Sequence, residues 1–278
     1  MAETIKKYLN DSFAARWAAL VLIALAMFFA YMFVDVMSPL QSLVESSRGW
    51  DSSVFGTYAA SEYILNVCGF LILAGIILDK MGVRFTGILS TSLMVIGAGI
   101  KYIGITDWFQ ATEFCNWLNS WWVALPGSAK MASLGFMIFG CGCEMAGITV
   151  SKAIAKWFEG KEMALAMGLQ LAIARFGTAT AILIAPMIVK TKAAGEIYTL
   201  AETNRPALIG LAVLALGAVL WAVFVAMDAK FDRQTGLSDK VETAEEDKFR
   251  FSDIWKVLSN PRFLMIALLC VTFYCCVI

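Results

Sequence analysis

Apolar residues run in long blocks along this chain, separated by short polar intervals. Six blocks, at 16–38, 54–78, 85–105, 131–152, 164–189 and 207–228, each exceed the ~20 residues that a helix needs to cross a bilayer. A seventh begins at 263. The pattern predicts an all-α membrane protein. The first block is too long for a signal-peptide core and no small-residue cleavage site follows it, so it reads as a retained helix behind a cytosolic tail.

The intervals between blocks differ in character. Segment 106–130 is long and holds Trp108, Trp117, Trp121 and Trp122. That composition suits an interfacial helix on the outer surface. Segment 229–262 is charged, with Glu242, Glu245, Glu246 and Asp247 followed by Phe249, Phe251, Ile254, Trp255 and Leu258. The near-helical spacing of those apolar residues predicts a short amphipathic helix on the membrane face. The last block, 263–278, ends without a polar flank, and a span stopping there would leave backbone groups unsatisfied in hydrocarbon. The expected layout is a six-helix domain at 1–228, a cytosolic linker at 229–262, and the start of a seventh helix in a chain cut short.

Composition narrows the class. Hydrophobic residues make up 60% and charged residues 16%, outside the range of soluble domains. The 22 basic and 22 acidic residues balance, which gives no case for a nucleic-acid partner. With the N-terminus inside, the cytosolic intervals carry fifteen Lys and Arg and the outer ones six, with Arg175 inside a span. The positive-inside rule then predicts a cytosolic N-terminus, in a plasma or inner membrane. There is no His, so any proton coupling would fall to carboxylates. Seven Cys lie mostly within apolar blocks, and Cys141-Gly142-Cys143 reads as packing rather than a metal or cofactor site.

Ionisable residues inside spans are costly and ask for a reason. Glu144 and Arg175 lie almost symmetrically about the turn Phe158-Glu159-Gly160-Lys161. Each is ~20 Å from that turn by helical rise, which places both near mid-membrane. They can form an ion pair that locks two helices, or both can face one cavity. Gly168, Ala172 and Ala179 share the Arg175 stripe and leave room for a ligand or a close helix. Asp35 and Glu62 belong near the outer mouth, as gate or proton sites or as ordinary interfacial carboxylates. Lys101, near the end of the third span, is expected to snorkel.

Two motifs carry a family resemblance. Gly75-Ile76-Ile77-Leu78-Asp79-Lys80-Met81-Gly82-Val83-Arg84, between the second and third blocks, resembles the signature loop of the major facilitator superfamily, although Val83 stands at a usually basic position. The resemblance implies the N-terminal six-helix half of a two-half carrier with alternating access. It makes Gly75, Asp79, Lys80, Gly82 and Arg84 a conformational gate, with Asp79 pairing with a base such as Lys152 or Lys156 or with a helix of the missing C-terminal half. The segment Lys156-Trp157-Phe158, Gly160-Lys161-Glu162, Ala164-Leu165-Ala166, Gly168-Leu169-Gln170, Ala174-Arg175 and Gly177 is similar to the lysosomal dipeptide uniporter branch and its bacterial relatives. That similarity implies that Glu144 and Arg175 contact the termini of a dipeptide. A carboxylate suits an α-ammonium, and a guanidinium suits a carboxylate bidentately.

Two departures narrow the branch. Phe136 stands where the superfamily often has a helix-four Arg, and the drug-antiporter pattern is absent because Gly177 and Pro186 lie too far apart. The expectation is a carrier of short peptides or amino-acid-like zwitterions, not an enzyme, embedded in a lipid bilayer. One alternative is a proton-coupled carrier of a small organic or inorganic anion, with Arg175 as ligand and Glu144 as proton site. Another is a non-transporting scaffold or receptor, which a charged midplane counts against.

Overall fold

The computed structural model describes residues 8–189, 199–235 and 259–277, and among these every regular element is helical. The chain divides into two units, Met1–Lys240 and Val241–Ile278. In the first unit the elements are α1 (Phe13–Asp35), α2 (Gln41–Arg48), α3 (Ser52–Leu65), α4 (Leu71–Gly104), α5 (Asp107–Gln110), α6 (Glu113–Ser120), α7 (Gly127–Trp157), α8 (Met163–Ile188) and α9 (Leu200–Thr235). The second unit contributes α10 (Pro261–Val277). The amphipathic helix expected at 249–258 lies outside the described residues.

Side chains set several helix starts. Ser12 accepts from the Ala15 N–H ahead of α1, and Asp51 from the Val54 N–H ahead of α3. Each supplies an acceptor to a first-turn donor that has no partner within the helix. Helix α1 then runs for 23 residues without Gly or Pro. The expected interfacial helix is two short ones, α5 and α6, capped by the Thr106 and Thr112 hydroxyls, which accept from the Phe109 and Cys115 N–H groups. Trp108, Trp117, Trp121 and Trp122 are all exposed there. Helix α9 continues to Thr235, past residue 228, where the sequence suggested that the membrane domain ends.

Among the described residues, five stretches are long and apolar enough to cross a membrane, and the second, Ser52–Gly104, covers 53 residues. It is two crossings. Gly82 interrupts α4 with φ +78° and ψ 176°, a conformation open to glycine alone. Contacts on α7 show the reversal. Before Gly82, Tyr58 stacks on Phe136, and Glu62 backs onto Gly140, so chain positions rise together. After it, Ser90 meets Gly142, Gly97 meets Phe139, Lys101 meets Gly135 and Gly104 meets Ala132, so they run oppositely. Six crossings result among the described residues.

Gly82→Ala is expected to cost about 1–3 kcal/mol, read by thermal unfolding in detergent. Gly75→Ala, whose added Cβ meets nothing within 4 Å inside a helix, should not lower the melting temperature. Equal melting of the two variants would mean that the turn does not need the Gly82 conformation.

Glycine is what lets these helices approach. In a bilayer there is little hydrophobic drive between helices, so close packing at small residues holds them together. A Cβ at Gly142 would lie 2.6 Å from the Ser90 carbonyl, and one at Gly104 2.8 Å from the Ala132 nitrogen. Helix α8 packs mainly on α1, where Gly177 sits against the Phe28 backbone, and α9 packs on α1 and α4. At the bundle end near Gly104, Arg48 donates to the Ile105 carbonyl at 2.6 Å and to Asn204. Asn204 donates to that same carbonyl at 2.8 Å, so α2, α4 and α9 meet there.

Candidate functional site

Glu144 lies 13 residues before the end of α7 at Trp157 (157 − 144), and Arg175 lies 12 residues after the start of α8 at Met163 (175 − 163). By helical rise both stand ~18–20 Å from the shared hairpin. They do not form an ion pair: no Glu144–Arg175 contact within 4 Å occurs among the described residues. Helices α7 and α8 diverge from the hairpin, and α1 takes up most of the packing surface of α8. Arg175 is exposed, with its guanidinium carbon 5.3 Å from the Tyr31 ring of α1, and Glu144 is half-buried. Of the two alternatives left open by sequence, the locking ion pair is therefore not the one observed. Tyr31 was not singled out in the sequence, where it is one aromatic residue among many in an apolar run.

The carboxylates expected at the outer mouth behave differently from each other. Asp35, the last residue of α1, is half-buried. Glu62 is 4% exposed, walled in where Gly140 lets α7 approach α3. It is not an ordinary interfacial carboxylate. Lys101 does not snorkel either. Its side chain is fully buried, because the Gly97 and Gly135 contacts bring α4 and α7 together around it.

At the opposite end of the bundle, the residues of the signature loop separate into distinct roles. Lys152 of α7 meets Asp79 at 2.7 Å, so of the two bases offered by sequence Lys152 is the partner. Both side chains are substantially exposed, and such a pair contributes about 0–1 kcal/mol. Lys80 is exposed, and Gly82 makes the turn described above. Arg84 reaches α9, with Nη2 3.4 Å from Asp232 and Nε 3.9 Å from Asp228. Lys156 binds the same two carboxylates at 2.8 and 2.7 Å. Asp228, fully buried, also accepts from Trp157 Nε1 at 2.8 Å. Sequence reading missed this cluster because it ended the sixth helix at residue 228. The one-turn spacing of Asp228 and Asp232 was the available signal.

Beside it, the chain start is tied to the α7–α8 hairpin. Arg16 bonds Glu162 at 3.0 Å and the Asn10 carbonyl at 2.9 Å, while Lys161 bonds Asp11 at 2.9 Å. The Lys161 hydrogen bond, helped by the Tyr8 N–H, holds the Asp11 carboxyl below its ordinary range. The Glu162 carboxyl is likewise lowered, first by its own backbone N–H and then by Arg16. This hairpin, from the end of α7 into α8, is the stretch in which the narrower family resemblance lies.

Comparison with known proteins agrees with this architecture. The family model described as Major Facilitator Superfamily matches residues 23–278. Similar curated proteins include the Solute carrier family 49 member 4 homolog of Xenopus tropicalis, 25% identical over 265 residues, covering 92% of this chain and 53% of that protein. The Lysosomal dipeptide transporter MFSD1 of Mus musculus is 26% identical over 166 residues, covering 59% of this chain and 32% of that protein. Its Bos taurus counterpart is 27% identical over 168 residues, covering 59% and 31%. The chain spans about half the length of the first of these relatives.

Proposed function

From the premise that this chain belongs to the Major Facilitator Superfamily, matched over residues 23–278, we propose that it forms one wall of a carrier working by alternating access. The solute is a short peptide or a similar zwitterion, with Glu144 holding its ammonium and Arg175 its carboxylate. The observation that carries this reading is the placement of two opposite charges at one depth without an ion pair between them. Their charge-assisted hydrogen bonds are then free for a solute of matching polarity. The relatives named as dipeptide transporters support the choice of solute. The other wall comes from a second half of the carrier, and the loop from Gly75 to Arg84 acts as the gate between conformations. The excess of Lys and Arg at the Asp79 end supports a cytosolic N-terminus.

The test is uptake of a labelled dipeptide panel into vesicles bearing the whole carrier. Saturable uptake is expected, reduced about 10- to 100-fold in Arg175→Ala, because a hydrogen bond to a charged group contributes about 1.5–3 kcal/mol. Normal dipeptide uptake by a correctly inserted Arg175→Ala variant would overturn the assignment. Anion uptake that survives Glu144→Gln, with no peptide uptake, would move it to an anion carrier.

A further inference from the structure

Lys101 is a buried ammonium without a polar partner. Its side chain is fully enclosed, and Nζ makes no hydrogen bond among the described residues. Three rings from three different helices surround it instead: Phe136 of α7 at 3.9 Å, Phe33 of α1 at 4.4 Å and Tyr58 of α3 at 5.3 Å. The attraction between an ammonium and ring faces is smaller than the penalty for taking an ion out of water. Withdrawal to the surface is closed off, because α4 and α7 meet backbone to backbone at Lys101 and Gly135. A second buried ionisable group stands on the neighbouring helix. Glu62, one turn after Tyr58, is walled by Gly140 and pairs with no base within 4 Å among the described residues.

The charges around the two groups come from α1, α3, α4 and α7. Lys101 faces Glu62 and Asp35. Glu62 faces Lys101, Asp35 of α1, Glu144 of α7 and the neighbouring Tyr63. Helix α9 carries its ionisable residues at its two ends, with Glu202 and Arg205 towards Lys101 and Asp228 and Asp232 far from it.

We propose that Lys101 and Glu62 form a proton-binding site in the wall of the bundle, separate from the solute-binding pair. In its neutral form the site is an ammonium on Lys101 with a carboxylate on Glu62. Taking one further proton from water gives ammonium with carboxylic acid, and releasing it restores the neutral form. The aromatic cage tolerates a cation in both states, while Glu62 changes charge. Within the carrier reading, this exchange makes the packing of α1, α3, α4 and α7 sensitive to protons, and so supplies a coupling step that Glu144 and Arg175 need not perform.

The experiment is a pH titration of the full chain in lipid, followed by infrared difference spectroscopy of the carbonyl stretch of protonated carboxyl groups. It contains no solute, so its failure is separable from failure of the peptide assignment. A slowly exchanging buried-carboxyl band is expected that is lost in Glu62→Gln. Its midpoint should move to higher pH by about one unit in Lys101→Met, because a positive neighbour is removed. Where Lys101→Met does not fold, Lys101→Arg decides: a side chain that stays charged should hold the midpoint at or below its original pH. A band that survives Glu62→Gln, a midpoint indifferent to Lys101, or a band lost instead in Glu144→Gln would each overturn the proposal.

Discussion

Asp228→Ala is expected to destabilise the helical bundle by about 3 kcal/mol, at the lower end of the range for removing one partner of a buried ion pair. The fully buried carboxylate accepts from Lys156 and from Trp157, and it lies near Arg84. Removing it leaves the Trp157 N–H without an acceptor in a tightly packed place. The loss stays at the lower end because Asp232 still holds Lys156 at 2.7 Å. Asp228→Asn should cost less, since an amide oxygen can still accept from Trp157. Denaturant unfolding in detergent micelles, comparing the two variants with the parent chain, checks this order. Equal stability of Asp228→Ala and the parent would mean that α9 does not lock onto α7 through this carboxylate. The same cluster ties Arg84 of the signature loop to α9, so the variant should also loosen that loop.

The second large effect is steric. Gly135→Val is expected to cost more than about 3 kcal/mol, beyond the usual range for overpacking. A Cβ at position 135 would lie 2.6 Å from the Gly97 carbonyl and 2.8 Å from the Lys101 Cα, as well as against the Lys101 nitrogen. All three are backbone atoms, which cannot swing aside as a side-chain tip can. The α4–α7 contact would have to open along its length, and Ser90–Gly142 and Gly104–Ala132 would part with it. Gly147→Val on the same helix is the control: its added Cβ meets nothing within 4 Å, and its effect should stay within about 0.5 kcal/mol. Comparable unfolding of the two variants would refute the close-packed interface.

These effects show which features were legible in the sequence. The apolar blocks were, because a membrane span needs a run of apolar residues whatever surrounds it. The reversal near Gly82 was, because a short charged turn with glycine between two such blocks leaves the chain few alternatives. The distance of Glu144 and Arg175 along their helices from the shared hairpin was, because it is set by helical rise. The pairing of Asp79 was half legible: two bases one helical turn apart on α7 were both offered, and only packing decided that Lys152 takes it while Lys156 turns to α9.

Burial and partnership were not legible, because each depends on which face of a helix meets which neighbour. Lys101 lies near a helix end, where a lysine ordinarily reaches water. It is enclosed because glycines distant in sequence bring α7 onto its backbone. Glu62 is walled in by the same means, and Asp228 and Asp232 join the signature loop through a helix that runs on past its apolar block. The amino-acid sequence by itself determined the membrane class, the six crossings, the signature turn and the distance of Glu144 and Arg175 along their helices from the hairpin, all of which follow from local hydropathy and helical geometry. The tertiary structure alone decided that Glu144 and Arg175 do not pair, that Arg175 meets Tyr31, and that Lys101 and Glu62 are shut inside the bundle. Those outcomes are set by contacts between helices far apart in the chain.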